Sequence, residues 1–99
     1  MALSPVVGVL RVTLHLPESG SLKAKRQVTA GLLRRVRTRY QVAAAEVGNG
    51  DRWQLADLAV ACVSGDRRHA DEVLSHVLRF IEAEADAVVS DVSTELVSL

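Results

Sequence analysis

The sequence predicts an α+β protein of ferredoxin-like type: a βαββαβ sandwich, with a four-stranded antiparallel sheet and two helices on one face. Three observations lead there. Two segments, 6–16 and 87–98, alternate with a period of two, the apolar runs 41–47 and 54–64 read as strands, and two intervening segments repeat with the period of a helix. Their order is β-α-β-β-α-β, and right-handed crossovers on that order close only a few topologies.

From Val6 to Leu16, one face of the first strand carries Val6, Gly8, Leu10, Val12, Leu14 and Leu16. The other carries Val7, Val9, Arg11, Thr13 and His15. Pro17, which has no N–H to give a ladder, ends the strand. Over residues 21–40 the stripe of Leu22, Thr29, Leu33, Val36 and Tyr40, widened by Val28 and Leu32, is helical. "QVAAAEV" (41–47) reads as a short strand and "GNGD" (48–51) as a turn. "QLADLAVACVS" (54–64) is a long strand with Ala56, Leu58, Val60 and Cys62 toward the helices. Asp66 can cap a second helix, whose stripe of Ala70, Val73, Leu74, Val77, Leu78 and Ile81 runs to about Glu84. Residues 87–98 alternate again, with Val88, Val92 and Leu96 together. Strands one and three are expected at the centre, in a single domain spanning 1–99 without linker or repeat.

Hydrophobic residues make up 48% of the chain, but Tyr40, Trp53 and Phe80 are its only aromatics, so Val, Leu and Ala must build the core. Cys62 is the single cysteine, which rules out an internal disulfide and suits a reducing, cytoplasmic setting. The N-terminal segment reads as a strand, and no signal peptide or membrane association is expected. No cofactor or metal is expected either. His69, Glu72 and His76 share a helix flank, but the two histidines stand seven residues apart rather than four, and no fourth ligand is evident. His15, Glu18 and Ser19 read as a capping turn rather than a nucleophile and base. Cys62 should be buried and inert.

Net charge is zero but unevenly spread: residues 1–40 hold eight Lys/Arg and one acid, residues 41–99 four Arg and eleven acids. The sheet face away from the helices should be small and apolar, where an open antiparallel face normally reads polar. Val7, Val9, Arg11, Leu55, Ala59, Ala61 and Val63, with Trp53 at the sheet end, therefore form an expected interface for a homodimer or homotetramer. That face lacks the aromatics on which RNA-recognition motifs stack bases.

The first helix offers a second surface. Ser19, Ser21, Lys23, Lys25 and Arg26 surround its N-terminus and suit an anion; Arg34, Arg35, Arg37 and Arg39 extend the charge along two rails that could seat a nucleic-acid backbone. The bland readings are a capped turn and a solvated basic face. No Gly-rich phosphate loop is present, and no readout of DNA sequence is expected.

The run "VVGVLRVTLHLPESGSLKAKR", with "VAAAEVGNGDRWQLADLAVACVSGDRRH" and "VLRFIE" after it, resembles the YlxP-like family of small bacterial proteins of uncharacterised function. The resemblance covers almost the whole chain. It implies a ferredoxin-like fold, a cytoplasmic setting and proximity to RNA or the ribosome, and it supplies no catalytic residues.

Three functional expectations follow. The leading one is a non-enzymatic, self-associating binding module whose basic first helix contacts RNA or the ribosome. Its rivals are a phosphate- or anion-binding enzyme or regulator using the 17–25 turn, and a protein–protein adaptor acting through Trp53 and the sheet face.

Overall fold

Strand β1 (Val6–His15) is followed by helix α1 (Leu22–Tyr40), strands β2 (Ala43–Gly48) and β3 (Leu55–Ser64), helix α2 (Arg67–Glu82) and strand β4 (Val88–Ser98). The computed structural model describes residues 4–84 and 86–99. All strand pairs are antiparallel in the order β2-β3-β1-β4, so β1 and β3 are central, and the fold is the ferredoxin-like α+β arrangement.

The period-two pattern becomes a buried layer. Leu10, Val12 and Leu14 of β1 and Ala56, Leu58 and Val60 of β3 meet Leu32 and Val36 of α1 and Leu74, Val77 and Ile81 of α2. Gly8 has a packing reason: a β-carbon there would sit 2.9 Å from Leu74 Cδ1 and 3.0 Å from Leu96 Cδ2. Its missing side chain lets α2 rest on the strand.

The helix ends follow local chemistry. Ser21 Oγ accepts the Ala24 N–H at 3.0 Å, satisfying one of the donors a helix start leaves free. Gln41 ends α1 in the left-handed region (φ 53°) and donates its N–H to the Arg37 carbonyl. That cap occupies the first residue expected in the second strand, so β2 begins at Ala43.

One expected face is corrected by a bulge. Between Thr13 and Leu14 the partner on β4 jumps from Asp91 to Val89, leaving Ser90 as an extra residue. The skip turns Val88 outward, 56% exposed, and puts Val89 against the core instead. A second bulge between Glu46 and Gly48 leaves Val47 without a partner on β3. Lys25 is corrected too: it is fully buried within α1.

Candidate functional site: the open sheet face and the basic helix

The β2–β3 connection is fastened from both sides of the sheet. On the helix side, the buried Lys25 Nζ donates to the Asn49 carbonyl at 2.6 Å and the Leu55 carbonyl at 3.1 Å. Glu46 Oε2 lies 3.1 Å from the same nitrogen. The charges are close enough to pair, but the angle is poor, so that oxygen lacks an aligned hydrogen bond.

On the opposite side, the buried Asp57 carboxylate accepts from Thr13 Oγ1 at 2.5 Å and from Asn49 Nδ2 at 2.8 Å. Arg11 Nη2 stands 3.9 Å away. Asn49 thus reaches Lys25 through its backbone and Asp57 through its side chain. Its left-handed backbone (φ 60°) suits asparagine, whose short polar side chain can bond locally. Gly48 completes the fit, since a β-carbon there would lie 2.6 Å from Asp57 Oδ2.

This network was only partly legible. At 100° per residue Lys25 falls between Leu32 and Val36, in the middle of the buried arc, so its place on the apolar stripe could have been read. Thr13 and Asp57 are direct cross-strand partners, but only the register reveals that.

The outer sheet face divides into two halves. Toward one end lie Val7, Val9, Ala59, Ala61 and the 75%-exposed Val63, joined by Ala43, Ala45 and Val97 from the edge strands. Toward the other end lie Arg11, Thr13, His15 and Asp57, with Asp91 and Ser93 of β4 beside them, while Glu95 stands opposite Val9 at the border between the halves. Leu55 is half-buried opposite His15, and Trp53 is 56% exposed beside both. Strand β4 therefore makes the face more polar than its three partners alone suggested.

The cations of α1 do not act as one surface. Arg35 pairs with Glu84 at 2.8 Å. Arg37 donates to the Ala44 carbonyl at 2.8 Å and sits, with Arg39, in the last turn, where the helix dipole favours positive charge. The Arg39 guanidinium carbon lies 5.7 Å from the Tyr40 ring centre and 5.6 Å from that of Phe80, which meet edge-to-face. Lys23, Arg26 and Arg34 are exposed and make no ion pair among the described residues. Gly31 is buried: a β-carbon there would stand 3.3 Å from Arg35 Nη1.

The turn before α1 is arranged against an anion. Ser19 is buried with its hydroxyl donated to the Ser21 carbonyl, Ser21 caps the helix, and Lys25 is turned inward. The adjoining cavity, about 440 Å³, is lined by Glu18, Glu84 and Asp86 against the single cation Arg35. Three carboxylates there would repel a phosphate.

Cys62 lies in the core, where burial pushes its thiol above its ordinary pKa, partly offset by a backbone hydrogen bond from Gly8. His69 Nδ1 is 3.2 Å from Ser64 Oγ. Among the described residues, no three His, Cys, Asp or Glu side chains converge as metal ligands, and no helix is long and apolar enough to cross a membrane.

Comparison with known proteins places these features in a family. Residues 7–94 match the family described as "Protein of unknown function (DUF503)", and the chain belongs to that family. It is 33% identical over 78 residues to the uncharacterized protein YlxP of Bacillus subtilis strain 168, covering 79% of this chain and 85% of that one. Among solved structures, the de novo designed protein Foldit4 is similar with a TM-score of 0.54 at 15% identity, over 94% of this chain and 96% of that one. That likeness concerns the fold alone. SnoaB, a cofactor-independent oxygenase from Streptomyces nogalater, aligns over 94% of this chain and 90% of its own at 19% identity, with a TM-score of 0.47.

Proposed function

We propose that this protein is a non-enzymatic, self-associating binding module, and that its open sheet face pairs with the same face of a second copy. The observation that carries this is the apolar half of that face, where Val63 is three-quarters exposed beside Val7, Val9, Ala61 and Val97. A lone chain would hold that surface against water, and burying it would contribute roughly 25 cal/mol per Å².

The available area suits a second copy. With strands about 4.8 Å apart rising about 3.4 Å per residue, the face covers about 600 Å². Specific interfaces begin at about 600 Å² per partner. The face carries both signs, Arg11 as well as Asp91 and Glu95, so two inverted copies can bring unlike charges together.

The non-enzymatic part has its own support. The groups best suited to chemistry are engaged in structure: Lys25 beneath the loop, Asp57 with two donors, Cys62 in the core. Light scattering on the eluting protein tests the pairing. The expected result is a dimer mass that falls to the monomer mass in Val63→Glu, with an unchanged circular dichroism spectrum. A wild-type monomer at every concentration would refute it.

A further inference from the structure

We infer that the groove between α1 and α2, around Arg34, Arg35, Arg39 and Phe80, is a binding site for a single-stranded nucleic-acid segment. It holds phosphate by guanidinium groups and seats a base on the Arg39 plane. The groove encloses about 530 Å³ and is lined by those four residues and Thr38. Three guanidinium groups line it and no carboxylate does. Glu84 offsets one of the three through its pair with Arg35. Arg34 is exposed and has no ion-pair partner among the described residues.

Arg39 decides the ligand class. Two aromatic rings flank its guanidinium, at 5.6 and 5.7 Å from their centres, and cation–π attraction favours that placement. A flat guanidinium so placed presents a stacking surface to a nucleobase as well as charge to a phosphate. An acidic peptide would use the charge and leave the plane idle. Arg35 and Arg39 stand four residues apart, about 6 Å along the axis, of the order of one step of an extended single strand. The site is narrower than the whole basic helix: Lys25 and Arg37 are excluded, because both are committed to carbonyls of this chain. It also lies on the helical layer, away from the open sheet face, so it does not depend on self-association.

Fluorescence anisotropy with a short labelled single strand of mixed sequence tests this, in parallel RNA and DNA arms. With about three phosphates neutralised, the single-strand slope of log K against log salt is about −2, so affinity should fall about 20-fold between roughly 50 and 200 mM salt. Arg34→Gln should weaken binding severalfold and flatten that slope. Arg39→Lys keeps the charge but loses the plane, and should weaken binding about tenfold. RNA and DNA strands of one sequence should bind within a few-fold of each other, because phosphate pairing and base stacking are common to both. Polyglutamate should compete poorly. Salt-independent or absent binding, indifference to both substitutions in folded protein, or equal competition by polyglutamate would each overturn the inference.

Discussion

Replacing Lys25 by methionine, a side chain of similar length without charge, should destabilise the protein by about 3–5 kcal/mol, the range for breaking a buried pair from one side. The structure supplies the parts of that figure. Asn49 O loses a short ammonium hydrogen bond of 2.6 Å but keeps the Arg52 N–H at 3.1 Å, so about 1.5–3 kcal/mol is lost there. Leu55 O loses its 3.1 Å ammonium donor beneath the sheet, which costs about 1–3 kcal/mol. Glu46 keeps 23% of its side chain exposed, so water offsets part of its loss. A chain of this length has about 5–15 kcal/mol in total, so the variant should fold with roughly half its stability. Urea unfolding followed by far-ultraviolet circular dichroism measures the change. Hydrogen exchange should show the amides of residues 48–54 losing protection first. Adding Glu46→Gln should recover part of the loss, since it removes the stranded charge. A Lys25→Met variant within 0.5 kcal/mol of wild type (less than half of the ~1 kcal/mol of one ordinary hydrogen bond) would refute the clamp.

Gly48→Ala should cost about 1–3 kcal/mol, because its new methyl meets Asp57 Oδ2. In an Asp57→Ala background the same change should cost far less, which a double-mutant cycle of urea midpoints would establish. Gly8→Ala should cost a similar ~1–3 kcal/mol by pushing Leu74 and Leu96 off the sheet, with a lower melting temperature and no change in Lys25 protection. For Cys62, burial raises the folded thiol's pKa above the unfolded value, so the unfolded chain releases the proton first. Its contribution to stability is therefore complete below the unfolded thiol's pKa and is lost as pH rises toward the folded one. Wild type should lose more stability than Cys62→Ala between neutral and alkaline pH, and an equal loss in both would refute this reading.

The sequence by itself determined the order of elements, the central strands and most of the core. Those follow from local periods: Val6 to Leu16 alternates so cleanly that only one face can be buried. The cap at Ser21 was also local, a hydroxyl three residues before a free N–H. Charge was where composition misled. Lys25 and Arg34 are both basic residues of one helix, yet one is fully buried under the β2–β3 loop and the other is exposed. The outward side of β4 was likewise hidden, because the extra Ser90 reverses which valine meets the core. The tertiary structure decided these points for a physical reason. A period records which way a side chain points. What that side chain meets, and whether a buried charge finds carbonyls, depends on the register of strands far apart in the chain.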